Sequence, residues 1–395
     1  MAKIIIVGAG IAGLATALAL ARANHRILIL EKSPQLGEIG AGIQLAPNAF
    51  RALDKLGLLN NLTDKIVSVE SIHLCDLTSG NEITQLETGT AFRRNFGYPY
   101  AVVHRADLHD TLLTACRALP GIDIITSSQV SKFRQNSTGI TVTLATGKTL
   151  SGDWLIGADG IRSAIRHNLL GDAEPRVSGH RIFRSTLPID AVPFELSKNR
   201  VTLWAGADRH IVAYPISSGK RLNIAATVND HSQLPISGEE VDVSTLLSHF
   251  PQVNTTVKRL LTCETTWKCW VLCDRDPAHG WSNGRVTLVG DAAHPTLQYL
   301  AQGAALALED AVKLSQLIMD FPTQIEHSFA EYEACRSPRT AAVQILSRKM
   351  CDDIYHASGS AAIHRDDYLK TLQEADFWRA CDWLYASPDK ALFSN

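Results

Sequence analysis

The chain has 395 residues, two to three times a typical single domain, so a large buried core and more than one structural unit are expected. Hydrophobic residues make up 45% and charged residues 20%, which excludes a disordered, collagen-like or coiled-coil chain. With 38 Lys+Arg against 40 Asp+Glu, the net charge of −2 leaves no field to recruit nucleic acid or an anionic membrane surface, and points to a small-molecule partner.

The opening run Lys3-Ile-Ile-Ile-Val7 is β-branched and ends in glycine, as a buried parallel strand does. Gly8-Ala-Gly10-Ile-Ala-Gly13 follows, then the Ala- and Leu-rich helical stretch from Leu14 to Ala23, then a second apolar run from Arg26 to Leu30. Lys3 with the apolar residues Ile4 to Ala21 has the outline of a secretory signal, but the glycines interrupt it. No other stretch approaches the roughly 20 apolar residues of a membrane span. Strand, turn, helix and strand make the unit that opens a dinucleotide-binding domain. There Gly8 permits the tight turn, Gly10 lets the backbone approach a pyrophosphate, and Gly13 lets helix and strand pack closely. The phosphates sit at the helix N-terminus. Glu31 is placed to bond a ribose hydroxyl, and Lys32 beside it is counted with the cofactor contacts. This fingerprint serves NAD and FAD alike.

Two further segments repeat strand, turn and helix. One is Asp153-Trp-Leu-Ile-Gly157-Ala-Asp159-Gly160-Ile-Arg162-Ser163, with a helix expected near Ser163. The other, Arg285-Val-Thr-Leu-Val-Gly290-Asp291-Ala-Ala-His294-Pro295, delivers Asp291 to a strand end, where open α/β sheets bind ligands. Gly303, Ala304 and Ala305 then precede a helical pattern through Leu306, Leu308, Ala311 and Leu314, small residues at a helix start that could face a ring system. From about Arg176 to Val271 the period shortens to two. The run His210-Ile-Val-Ala-Tyr214 puts His210, Val212 and Tyr214 on one face, with His210 and Tyr214 roughly 13 Å apart along the strand. These two side chains could bracket one substituted benzene ring.

The three motifs, in this order and at these separations, resemble the single-component flavin-dependent aromatic hydroxylases of the para-hydroxybenzoate and salicylate hydroxylase type. The resemblance runs from Ala2 to about Ala311. It implies tightly bound FAD held by the first and third motifs, with the Asp159 motif serving FAD and the reducing nicotinamide together. On this resemblance Arg105, in His104-Arg-Ala-Asp-Leu108, lies against the flavin, and Gly40-Ala-Gly42-Ile-Gln44 borders its ring system, with Gly42 and Gln44 as contacts. No second glycine fingerprint exists, so the nicotinamide visits transiently; NADH is expected, with NADPH open. The continuation His294-Pro-Thr-Leu-Gln298, the Arg209-His210-x-x-x-Tyr214-Pro215 strand and the closing Ala380-Cys-Asp-Trp383-Leu-Tyr385 resemble the 3-hydroxybenzoate 6-hydroxylase branch. That branch implies His210 as base for the substrate hydroxyl, Gln298 as its hydrogen-bonding partner, Tyr214 as an orienting group, and a flavin hydroperoxide as oxygen donor. The product is then 2,5-dihydroxybenzoate. Salicylate and 6-hydroxynicotinate hydroxylases stay open within the class, an FAD-dependent oxidase or dehydrogenase outside it, and an FAD-bound regulator as the non-enzyme reading.

The expected fold is α/β: a Rossmann-like FAD-binding domain in residues 1–175 and 272–350, an inserted antiparallel β-sheet substrate domain in 176–271, and C-terminal helices in 351–395. The tail aromatics Phe377, Trp378, Trp383 and Tyr385 pack those helices onto the rest, with a homodimer contact as the alternative. Eight scattered cysteines, none in a C-x-x-C pair or at zinc-type spacing, suggest reduced thiols in a cytoplasmic protein and no metal site.

Overall fold

The computed structural model describes residues 1–37, 41–193, 196 and 198–386. Gly40 of the expected flavin-bordering loop and the last nine residues of the C-terminal segment lie outside them.

The strand Lys3–Val7 pairs in parallel with Arg26–Leu30 on one side and Trp154–Gly157 on the other. Ile122–Ile125 and Val286–Leu288 extend this parallel sheet, and Ser282–Asn283 closes one edge as an antiparallel strand. Ile4, Ile5 and Ile6 are fully buried, as a parallel strand covered on both faces requires. Helices Ile11–Arg22 and Gly303–Asp320 pack on this sheet through Leu14, Leu18, Ala307 and Ala311. The sheet and the Ile11–Arg22 helix come within reach of each other because position 13 is glycine: a Cβ there would stand 1.9 Å from the carbonyl oxygen of Gly8.

The second large sheet has eight strands, and it is wider than the alternating segment suggests. In order they are Ser237–Asp242, Thr266–Asp274, Arg176–Pro188, Arg221–Ser232, Arg209–Ile216, Arg200–Gly206, Ser71–Asp76 and Glu82–Glu87. The last two come from within residues 1–175, and Ser71–Asp76 pairs in parallel with Arg200–Gly206, so the sheet is not wholly antiparallel. A parallel neighbour needs a long crossover, and the whole chain between the two strands provides it. One face of this sheet carries Phe183, Ile211, Ala213, Ile224 and Ala226 into a core closed by helices Val243–Ser248 and Thr255–Leu261. The other face looks toward the parallel sheet.

Helices Ile325–Met350, Gly359–Thr371 and Glu374–Tyr385 follow. The tail aromatics pack within the chain: Tyr385 meets Phe92, Phe96 and Tyr100 at ring separations of 6.1, 5.6 and 6.2 Å. Among the described residues no helix is long and apolar enough to cross a membrane, and all eight cysteines are unpaired.

Candidate active site

A cleft with a free volume of about 300 Å³ separates the two large sheets. Three walls enclose it. The first is made by glycine turns. Gly10 precedes helix Ile11–Arg22 and Gly303 opens helix Gly303–Asp320; neither helix has a side-chain cap or an acidic residue in its first turn. A Cβ at Gly10 or Gly303 would meet nothing within 4 Å, so both backbones stand open to the cleft. Two uncapped helix N-termini opening onto one cleft favour negative charge there. Beside them, Glu31 closes strand Arg26–Leu30 and accepts the N–H groups of Ala9 and Ser33, each at 2.8 Å. The open turns and uncapped helix starts suit a pyrophosphate and a ring system that becomes anionic on reduction, and FAD has both.

The second wall is the hairpin-like pair Gly42–Leu45 and Ala101–His104. Their register sets Gly42 opposite His104, so Arg105, the first residue of helix Arg105–Arg117, lands next to the glycine loop and donates its backbone N–H to Ala41 at 2.9 Å. Gln44 faces the cleft, its amide oxygen held at 2.6 Å by the Tyr100 hydroxyl. Asp291 follows strand Val286–Leu288 on a turn fixed from behind, where Asp310 accepts the Gly290 N–H at 2.8 Å. Asp291 lies deep in the molecule yet exposes its carboxylate, because the surface it presents is the cleft. Depth raises its pKa above the ordinary carboxylate value, opposed by Arg105 and His294.

The third wall is the eight-stranded sheet. His210, Val212 and Tyr214 all line the cleft, as the period of two requires, while Ile211 and Ala213 enter the core behind. Cross-strand register then adds residues that the run alone does not reveal. Thr227 lies opposite His210 and accepts from the Gln298 amide at 3.2 Å; Asn223 lies opposite Tyr214 and accepts the Gly42 N–H at 2.7 Å. Arg184, on strand Arg176–Pro188, donates to the Gln298 oxygen at 2.9 Å and lies 5.7 Å from the Trp270 ring. Burial, helped by Arg105, lowers its pKa, and Tyr214 counters.

The sequence matches the FAD binding domain family over residues 1–345. It is 42% identical over 388 residues to 3-hydroxybenzoate 6-hydroxylase of Klebsiella oxytoca, covering 98% of this chain and 97% of that one. It is also 42% identical over 385 residues to 3-hydroxybenzoate 6-hydroxylase 1 of Aquipseudomonas alcaligenes, covering 97% of both. The solved structure of Klebsiella pneumoniae HpxO with FAD and uric acid superposes with a TM-score of 0.85 at 25% identity, over 96% of each chain. The chain is a member of the FAD-dependent aromatic monooxygenases.

In this monooxygenase the expected site residues divide into two groups. Gly10, Gly42, Gln44, Arg105, Asp291, Gly303 and Ala304 meet His210, Tyr214 and Gln298 on the cleft wall. Gly8, Gly13, Glu31, Lys32, Asp159 and Ala305 do not line it. Gly8 and Gly13 pack strand on helix, Lys32 is exposed, and Ala305 turns into the core beside Leu14. Asp159 holds a helix start together: it accepts the Ser163 hydroxyl at 2.5 Å and the backbone N–H groups of Ala164 and Ile165, while Ser163 itself caps helix Ala164–Leu170.

Sequence spacing hides one further cluster. His210 is fully buried, and its Nδ1 lies 2.8 Å from Nε2 of His356, whose Nδ1 is 3.5 Å from Cys351 Sγ. His180 joins them, hydrogen-bonded to the Tyr299 hydroxyl at 2.7 Å. The donor atoms of His180, Cys351 and His356 all lie within 4.8 Å of one another, and His356 spends both ring nitrogens on its neighbours. Burial lowers the pKa of His210 well below 6.5, and brings His356 down to about 3, so both rings are neutral at pH 7.

The tightest contact in the cleft is at Gly42, where a Cβ would stand 2.5 Å from Tyr214 Cε2 and 2.8 Å from Asn223 Cγ. Tyr214 is backed by the core and cannot yield cheaply, so Gly42→Ala should cost about 1–3 kcal/mol of local strain. The expected result is a KM for the aromatic substrate raised on the order of 10-fold, with FAD retained, since 1.4 kcal/mol is about tenfold. Unchanged steady-state kinetics would show that the contact is not restrictive.

Proposed function

We propose that this monooxygenase hydroxylates 3-hydroxybenzoate para to its hydroxyl, giving 2,5-dihydroxybenzoate, with NADH, or else NADPH, as transient reductant. The observation that carries the reading is Nε2 of His210, which is buried on the cleft wall with no hydrogen-bond partner. Such an atom costs about 1–3 kcal/mol when left unmatched, and a phenolic hydroxyl is the matching group. The names of the 42%-identical relatives support the same substrate.

When bound, FAD supplies the reducing equivalents and, with O2, an electrophilic oxygen; Glu31, the Gly10 turn, Arg105, Asp291 and the Gly303–Ala304 turn would hold it. The chain's own residues do the rest. His210, neutral because it is buried, takes the phenol proton at Nε2. The resulting phenolate is far richer in electrons at its ortho and para carbons, and the carbon para to the 3-hydroxyl is position 6. Gln298, fixed between Arg184 and Thr227, hydrogen-bonds the same oxygen. Tyr214 orients the ring, and Arg184 is the cation placed to receive the carboxylate. The eight-stranded sheet serves as the substrate unit and excludes water from the reacting centre.

The test is product analysis with purified FAD-loaded enzyme. 3-Hydroxybenzoate should accelerate NADH oxidation and yield 2,5-dihydroxybenzoate by chromatography. A 2,3- or 3,4-dihydroxy product would refute the orientation. Absence of turnover would withdraw the substrate in favour of salicylate or 6-hydroxynicotinate.

A further inference from the structure

The base role assigned to His210 raises a question of which tautomer it adopts, and the surroundings bear on the answer. A neutral imidazole carries one proton, on Nδ1 or on Nε2. Only the Nδ1–H form leaves a lone pair on Nε2, the buried atom without a partner on this cleft-lining residue. In water the two forms interconvert freely. Here the ring is 0% exposed and wedged between Tyr299 and Tyr355, with ring separations of 5.4 and 4.8 Å, so the hydrogen bond at Nδ1 decides. The partner at that position is not the carboxylate or backbone carbonyl that commonly orients a histidine, but the Nε2 of His356 at 2.8 Å.

We propose that His356 is a positioning residue for His210: it accepts the Nδ1 proton of His210 and thereby keeps the Nε2 lone pair turned to the substrate hydroxyl. The inference rests on the reading of His210 as base. His356 can do this because its own proton has a place to go. With Nε2 accepting, the proton of His356 sits on Nδ1 and points to Cys351 Sγ at 3.5 Å, a buried thiol that can act as a weak acceptor. His356 is itself held in place, since its backbone N–H closes on the Cys351 carbonyl at 2.8 Å at the end of the π-helical turn Cys351–Tyr355. The proton transfer balances along this chain. The phenol O–H bond breaks, an Nε2–H bond forms on His210, and the single positive charge gained is shared across the Nδ1–H···Nε2 hydrogen bond between the two rings. A neutral partner gives the pair a character that a carboxylate would not: it fixes the tautomer without adding a negative charge that would hold His210 protonated before substrate arrives.

Two isosteric variants test this in the FAD-loaded enzyme. The amide oxygen of His356→Gln reaches the position of Nε2 and can accept from His210; that of His356→Asn reaches only the position of Nδ1 and cannot. Both are polar and similar in size, so packing alone does not separate them. The measurements are the hydroxylation rate by rapid mixing and the phenolate absorbance of bound 3-hydroxybenzoate. The glutamine variant should stay within about threefold of wild type in both, while the asparagine variant should lose at least about 10-fold, a part of the 10²–10⁴ that a positioned base contributes in full. Equal rates in the two variants, whether both high or both low, overturn the proposal, as does an asparagine variant faster than the glutamine one. His210→Asn, measured alongside, separates the two levels of the argument. If it hydroxylates normally, the base reading has failed; if it is slow while the two His356 variants match, only the positioning role has.

Discussion

His210→Ala should slow hydroxylation by about 10²-fold or more, the usual scale for losing a positioned base, while reduction of the bound FAD by NADH continues. On the roles proposed above, the two halves of the reaction should separate because they use different walls of the cleft. Gly10, Arg105, Asp291 and Gly303 belong to the parallel-sheet side and its loops; His210 belongs to the eight-stranded sheet and brings to the cleft a buried ring nitrogen without a partner. Reducing equivalents that no longer enter the ring should leave as hydrogen peroxide, so the ratio of NADH consumed to product formed should rise well above one. Stopped-flow traces would show an intact reductive phase and a slowed hydroxylation phase. An unchanged hydroxylation rate would remove His210 from the mechanism.

How far the sequence discloses this site depends on how each residue reaches it. Residues delivered by local geometry were legible: the glycines of the first turn, Asp291 at its strand end, and His210 with Tyr214 by the alternation of one strand. Residues delivered by pairing were not. Arg184 sits in a strand whose neighbouring arginine, Arg181, bonds Asp230 at 2.6 Å, and the two read alike as solvated charges until the register with Ala225 puts Arg184 on the cleft. His356 lies 146 residues from His210 and follows a turn with no motif of its own. Asp159 adds a role that its motif did not announce: besides the ligand contact expected of it, its carboxylate accepts the hydroxyl of the N-cap residue Ser163 and the first two backbone N–H groups of the helix that follows. The parallel strand Ser71–Asp76 was hidden for the same reason as Arg184, since nothing in a short strand declares a partner more than a hundred residues away.

Arg336→Leu should destabilise the fold by about 3–5 kcal/mol, the scale for leaving a buried charge without its partner. Helix Gly303–Asp320 carries Glu309 and Asp310 side by side in an apolar setting, 5% and 0% exposed. Arg336 reaches both, at 2.6 Å to Glu309 and 2.7 Å to Asp310, and Arg339 adds two bonds to Glu309 at 2.8 Å. Asp310 also accepts His294 at 2.6 Å and Gly290 at 2.8 Å, and Arg339 bonds the carbonyls of Trp383 and Leu384, so the network ties the Asp291 turn to the C-terminal helices. Losing Arg336 should therefore lower both the urea midpoint and FAD retention. A stability within about 0.5 kcal/mol of wild type, the range of ordinary surface changes, would refute the network's importance. The same groups set an acid limit. Despite burial, the two arginines bring Glu309 from 4.5 to about 2, and His294 and Arg336 depress Asp310 as well. Carboxyls with folded pKa values below their unfolded ones stabilise fully above about pH 4.5, and that stability drains away as pH falls toward 2. In the leucine variant the acid loss should be shallower.

The strand Arg209–Ile216 divides its residues between two surroundings, with 210, 212 and 214 on the cleft and 211 and 213 in the core. The same alternation holds on the adjacent strand, with Asn223 and Ala225 on the cleft and Ile224 and Ala226 in the core. A change at a cleft-facing position alters the wall of the cleft and, at Val212 and Tyr214, the hydrophobic cluster behind that wall; a change at a core-facing position disturbs the separate core on the other side of the sheet. One segment thus carries two faces in alternate letters, one turned to the cleft and one turned to the core beneath the helices.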